Sequence, residues 1–531
     1  MNRGLSSATA TRVNGRVNEN ANTPSKPNAI PARDPPPVLP ISVDSARLPD
    51  AIALLSLFMG DDSSITDEGA RFSIEQRLRD LVARHPAGER LPSTRTLVAD
   101  HAASPLTVQR VVQQLVLEGL VETRPGAGNF VARRRAVRQA DFGWQTTALG
   151  AARTSADSIG SALAIPPDGA ISLGSGYPTE ELLPTRLVHQ ALNRASRSSA
   201  AVSRPPVAGI PELRSWFARE LAPRGSSPTT PASADDVVVM PGGQSALSSI
   251  FRALAAPGDA IVVESPTYWG ALAAARQAGL RIIPVGRDTT APSAESLDDA
   301  LRSSGARLFY AQPHFANPTG ALWSATERAE ILEVVKARGA YLIEDDWAHD
   351  FGIDADASPL AAEDAHGHVV YVRSLTKSVS PAIRVAGVVA RGPALARIQV
   401  DRTVDDLYVS GLLQAAAVDV LTSPGWRSHL GRLRAELRNR RDELARHVTA
   451  HFGAESLAAI PRGGLNLWVR LPDGTDVIEL ARRSLDAGTV LSSGPAWFPA
   501  EPTGSYVRLN YSGSRPERFE EGVTTIASLL P

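Results

Sequence analysis

Apolar and polar positions alternate with two different periods along this chain. From Phe72 onward the period is helical, with Ile74, Leu78, Leu81 and Val82 on one face. After Gly88, the segment Leu91-Pro92-Ser93-Thr94-Arg95 opens a second, short helix, and Ser93 is suited to accept from the free amides of its first turn. Ser104-Pro105 starts a third helix, a capping hydroxyl followed by a proline whose missing N–H costs nothing in the first turn. On that third helix Val108, Val111, Val112 and Leu115 face inward, while Leu106, Gln109, Arg110 and Gln113 share the opposite face. Leu120–Thr123, a turn at Arg124–Gly128 and Asn129–Val131 then read as a hairpin. Much later, short β-branched runs alternate with helical patterns: Asp236–Met240, Ala260–Glu264, Leu308–Ala311, Tyr341–Glu344 and Val369–Val372. That alternation predicts a large α/β domain with a mainly parallel sheet.

The chain of 531 residues is long enough for more than one domain. Residues 1–45 are rich in Pro, Asn, Ser and Thr and poor in large apolar side chains, so burial cannot offset their ordering entropy. The expected organisation is a mostly disordered tail over 1–67, a small helical domain over 68–135, a linker rich in Ala, Ser and Thr over 136–167, and the α/β domain over 168–531.

Charge sharpens this division. The chain as a whole carries −1, yet Arg71 to Arg135 holds 11 arginines against 6 carboxylates. A local surplus of five positive charges suits a phosphate backbone. With no cysteine in the chain, disulfides, thiolate nucleophiles and thiolate metal sites are excluded, and no metal site is expected. The N-terminus lacks a charged-then-apolar leader, and the run Ala51–Met59 is too short to span a bilayer. A soluble cytoplasmic protein without a membrane partner is expected.

The front motifs have a chemistry. A helix that offers Gln109 and Arg110 outward can reach base edges in a major groove, and the glycines of the hairpin turn allow close approach to a phosphate backbone. Leu91-Pro92-Ser93-Thr94-Arg95, Thr107-Val108 and the Gly126–Val131 hairpin together resemble the winged helix of GntR-type regulators. The resemblance implies that Arg95, Thr107 and Gly128 meet double-stranded DNA, with Ser93 and Ser104 at the two helix starts on the same side.

The rear motifs hold a different one. The only lysines are Lys26, Lys336 and Lys377. Lys26 lies in the tail and Lys336 in a charged helix pattern, whereas Lys377 follows an apolar strand, with Ser374, Thr376 and Ser378 beside it and Arg384 seven residues on. Such a lysine can form a Schiff base beside an anion pocket. Gly242-Gly243-Gln244 after one strand can cup a phosphate at a helix start, and Tyr268 after another can face a flat ring. Asn317 sits in the turn Asn317-Pro318-Thr319-Gly320, Asp345 ends a strand, and Arg508 lies on a strand pattern near the C-terminus.

In order and spacing this set resembles the fold-type-I aminotransferases that use pyridoxal 5′-phosphate. The resemblance implies a Schiff base on Lys377 and a pyridine nitrogen held by Asp345. It places Asn317 at the ring oxygen, Tyr268 against the ring, and Gly243, Gln244, Ser374, Thr376 and Arg384 around the phosphate. Arg508 takes the position that grips a substrate carboxylate, and Trp347 stands where the family has a tyrosine donating to the ring oxygen. A GntR-like winged helix ahead of such a domain is the arrangement of MocR-type transcriptional regulators. It implies a homodimeric DNA-binding regulator that senses an amino compound or the cofactor itself, and leaves residual transamination open. The other readings are a working aminotransferase with an accessory winged helix, and a cofactor-free dimerisation scaffold.

Overall fold

The computed structural model describes residues 62–133, 141–149, 165–221, 231–287 and 290–530. The chain divides into two compact units, Met1–Gly143 and Trp144–Pro531. Most of the expected tail and linker lie outside the described residues, apart from a short helix at Trp144–Ala148.

In the first unit α1 (Asp62–Arg84), α2 (Thr94–His101) and α3 (Pro105–Leu117) are followed by the antiparallel pair β1 (Val121–Arg124) and β2 (Gly128–Val131). α1 takes in residues 62–67, which composition assigned to the tail. Both serine caps form: Ser93 Oγ accepts from Thr96 N and Ser104 Oγ from Thr107 N, each at 3.1 Å. Ile74, Leu78, Leu97, Val108, Val111, Val112 and Leu115 close one core, so the helical periods match the buried faces. The hairpin is held by the stretch before α2, where Leu91 N donates to Asn129 O and Val131 N to Glu89 O, both at 2.8 Å.

The second unit is built on a seven-stranded sheet: β3 (Val237–Met240), β4 (Ala260–Ser265), β5 (Arg281–Gly286), β6 (Leu308–Ala311), β7 (Tyr341–Asp345), β8 (Val369–Ser374) and β9 (Ala386–Val389), in the spatial order β3-β9-β8-β7-β6-β4-β5. Every pairing is parallel except those of β9, which runs against both β8 and β3. The expectation of a mainly parallel sheet holds, and loop length explains the one reversed strand. Only residues 375–385 join β8 to β9, with Leu375 N donating to Val385 O at 3.0 Å, which leaves no room for the helical crossover a parallel return requires. Helices cover both faces of the sheet. A smaller sheet of β10 (Asn466–Arg470), β11 (Ser492–Ser493) and β12 (Tyr506–Asn510), in the order β10-β12-β11, packs with the long helix Pro424–Phe452 around a separate core. Among the described residues no helix is long and apolar enough to cross a membrane.

Candidate cofactor site and nucleic-acid interface

In the first unit the structure leaves Arg95, Gln109 and Arg110 exposed, as the helical faces require. Ser93 and Ser104 are exposed at the caps they form. Gly128 adopts φ 111°, and a Cβ there would come 3.4 Å from the Arg90 side chain, so glycine lets the hairpin lie against Arg90. Thr107 departs from expectation. It is 3 % exposed, with its hydroxyl 2.7 Å from Ser104 Oγ, and so belongs to the helix start rather than to the outer face. Between α3 and the hairpin runs a groove of about 680 Å³ whose lining includes Thr94, Gln109, Gln113 and Thr123.

In the second unit the strand ends converge. Because β3, β4, β6, β7 and β8 point the same way, their C-terminal ends deliver Gly243, Tyr268, Asn317, Asp345 and Lys377 to one edge of the sheet, where open α/β sheets collect ligands. Gly243, Gln244, Tyr268, Asn317, Asp345, Trp347, Ser374, Thr376, Lys377 and Arg384 all line a single cavity. At its anion end the helix Gly243–Leu254 starts beside Arg384, which donates to Thr376 Oγ1 at 3.1 Å and to Pro241 O at 3.4 Å. Gly242 has φ 103°, and a Cβ on it would lie 2.6 Å from the Arg384 guanidinium. Free helix amides, two hydroxyls and a guanidinium make a phosphate cradle.

At the opposite end Asp345 is buried, and its Oδ2 accepts from Tyr310 Oη at 2.7 Å and from Gln312 Nε2 at 2.9 Å. Burial raises its carboxyl pKa above the usual range, while these donors and Lys377 act the other way. A cationic ring nitrogen would add to that opposing pull. Asn317 Oδ1 accepts from Arg508 at 3.2 Å, which leaves its amide N–H groups free for a ring oxygen. Lys377 Nζ stands 4.1 Å from the centre of the Trp347 ring. Burial, followed by the nearby Arg508 charge, lowers the Lys377 pKa to about 8. About a tenth of this amine is therefore neutral and nucleophilic at pH 7, far more than of a solvated lysine.

These residues fit a pyridoxal phosphate. Trp347 Nε1 and Gln244 Oε1 are both buried with no hydrogen-bond partner, so the site holds polar atoms that its own side chains leave unsatisfied. Arg508 itself does not line the cavity. It lies behind Asn317, 5 % exposed, and donates to Gly174 O at 2.7 Å and Ser175 O at 3.1 Å, with Trp497 4.7 Å from its guanidinium. A substrate carboxylate that took its Nη2 donors would displace those carbonyls.

Three residues of the site escaped sequence reasoning: Tyr177, Tyr310 and Gln312. Gln312 bridges the two ends of the ring position, donating to Asp345 and accepting from Asn317 N at 2.9 Å. Its place just past a strand end was the available signal.

Residues 168–526 match the family model for class I and II aminotransferases, and residues 71–131 match that for bacterial regulatory proteins of the gntR family. The chain is 25 % identical to the uncharacterized HTH-type transcriptional regulator YdfD of Bacillus subtilis, over 84 % of this chain and 92 % of that protein. It is 28 % identical to the probable rhizopine catabolism regulatory protein MocR of Rhizobium meliloti, over 85 % and 92 %. Among solved structures, the α-aminoadipate aminotransferase LysN of Thermus thermophilus, in complex with N-(5′-phosphopyridoxyl)-L-leucine, superposes with a TM-score of 0.62 at 27 % identity, covering 70 % of this chain and 96 % of LysN.

Proposed function

Since the chain belongs to the class I and II aminotransferase family and joins that domain to a GntR-type DNA-binding domain in the MocR arrangement, we propose that it is a pyridoxal-phosphate-dependent transcriptional regulator responding to a small amino compound. One observation supports the cofactor half: Lys377, Asp345, Asn317 and the Arg384–Thr376 cradle meet in one cavity. Bound there, the cofactor supplies an electrophilic carbon to which an amine can add. The rest is done by this chain. Lys377 presents an amine that gives up its proton readily, Asp345 would hold a proton at the ring nitrogen, and Trp347 and Tyr268 would flank the ring. The DNA half rests on the capped α3, its exposed Gln109 and Arg110, and the hairpin beside it. Cytoplasmic location and a homodimer complete the reading, since a dimer would present two winged helices to paired half-sites.

A working aminotransferase is the second reading. It is favoured by 28 % identity to the 2-aminoadipate transaminase of Thermus thermophilus and by the retained lysine and carboxylate. One pair of assays separates the two: steady-state transamination with an amino-acid panel, and binding to the DNA beside the protein's own coding region with and without cofactor. The regulator reading expects a yellow protein, borohydride-fixed cofactor on the Lys377 peptide, and DNA affinity that depends on cofactor or amine. Label on Lys336, or none, overturns the cofactor assignment. Fast turnover with ligand-indifferent DNA binding leaves the enzyme.

A further inference from the structure

The glutamines of α3 are unequally used. Gln114 accepts from Arg71 at 3.2 Å and donates to Glu118 at 3.2 Å, so its amide is committed within the unit. Gln109 and Gln113 are exposed, and neither side chain makes a hydrogen bond among the described residues. Two leucines share their face of the helix. Leu106, one turn before Gln109, is 56 % exposed, and Leu117, one turn after Gln113, is 88 % exposed. Residues three or four apart are neighbours on a helix surface, so each free amide stands beside an apolar side chain. Gln109 and Gln113 also line the groove next to the hairpin, where Val112 and Val116 add apolar wall. Arg110 is the only charged residue of α3, which contains no carboxylate.

An exposed leucine beside a free amide suits neither water nor a phosphate backbone, but it complements one kind of base pair. In the major groove an A·T pair shows adenine N7 and its N6 amine next to the thymine O4 and C5-methyl. A carboxamide accepts from the N6 amine and donates to N7, and the methyl is an apolar group that a neighbouring leucine can cover. Guanine O6 and N7 are both acceptors and suit a guanidinium, which α3 offers once. The cytosine N4 amine suits a carboxylate, which α3 lacks.

We propose that α3 selects half-sites rich in A·T pairs: Gln109 with Leu106 reads one such pair, Gln113 with Leu117 reads a second, and Arg110 takes a guanine. Four residues of helix rise about 6 Å, close to two base-pair steps of about 3.4 Å, so a helix lying along the groove sets the two A·T pairs about two steps apart. The proposal rests on the reading of the first unit as a DNA-binding domain and adds which base pairs that domain prefers.

The test uses the full chain and a pool of random-sequence duplexes, selected at one fixed salt concentration. Selected sites should share two A·T pairs in each half-site, about two steps apart. On a selected duplex, 7-deazaadenine in place of one of these adenines removes N7 and should weaken binding about fivefold. Uracil in place of its thymine removes the methyl and should weaken binding about fourfold. Gln109→Ala should abolish the 7-deazaadenine effect at one pair and keep it at the other, and Leu106→Ala should abolish the uracil effect at that same first pair. Both side chains are exposed and alanine favours a helix, so these variants keep the fold. Selected sites rich in G·C, no sequence preference, or analogue effects that are absent or unchanged in Gln109→Ala overturn the assignment while leaving DNA binding intact. Failure to retain any duplex at low salt would remove the DNA-binding reading itself, and this assignment with it.

Discussion

At the scale of single residues, the proton on Lys377 sets how the site captures its cofactor. With its pKa lowered to about 8, the amine gains reactivity as pH rises toward that value and little beyond it. The rate of cofactor capture by apoprotein should rise about tenfold per pH unit below roughly pH 7 and level off above 8, followed by stopped-flow absorbance. A rate that keeps climbing to pH 10 would mean an ordinary, solvated lysine. The same depressed pKa gives the apoprotein a sign for stability. Between about 8 and the usual 10.5 the unfolded chain binds the extra proton, so apoprotein stability rises with pH across that window. Gln312 offers a second check. Gln312→Leu removes the donor to Asp345 and the acceptor for Asn317 N, and should weaken cofactor binding by about 1–3 kcal/mol, measured by equilibrium dialysis. Lys377 was legible in the sequence because lysine is so scarce and this one follows a strand. Gln312 and Tyr310 were not, because what defines them is the carboxylate they meet across the sheet, and no spacing along one strand encodes it.

At the scale of elements, periodicity located the buried faces of the first unit but not every boundary. α1 begins at Asp62, where no apolar repeat marks it. Strand direction was equally silent in the apolar runs. The short 375–385 connection held that information, and by turning β9 back it brings Arg384 to the same edge as Lys377. The winged helix allows separable tests. Arg95→Ala should lower affinity for all DNA sequences and flatten the salt dependence by about one unit if it meets a phosphate. Arg110→Ala should cost about 1–3 kcal/mol and blur specificity at one position if it reads a base. Equal, sequence-independent losses in both would place the two arginines on the backbone. Ser104→Ala should destabilise this unit by about 1 kcal/mol, because it removes the cap of α3 and the bond to Thr107.

At the scale of the molecule, a ligand alters DNA affinity only if it favours one state of the protein over another. Arg508 supplies a concrete pair of states. Its guanidinium is held by the carbonyls of Gly174 and Ser175, in a stretch of the second unit that leads to Tyr177 at the cavity. A ligand carboxylate that engages Nη2 bidentately with another donor of the guanidinium would release those carbonyls. A ligand with an amine alone leaves them in place. Amino acids and simple amines should therefore differ. An amino acid that reacts at Lys377 should change operator affinity by about 1–3 kcal/mol, while the matching amine without a carboxylate should change it far less. Arg508→Ala should erase that difference, and with it the hydrogen bonds to Gly174 and Ser175, while the visible absorbance of the lysine-bound cofactor persists. Mobility shifts with an amino acid and its decarboxylated analogue, on the protein and on Arg508→Ala, read this directly. An amine as effective as its amino acid in the unaltered protein would remove Arg508 from the coupling and leave the exchange at Lys377 as the whole of the signal.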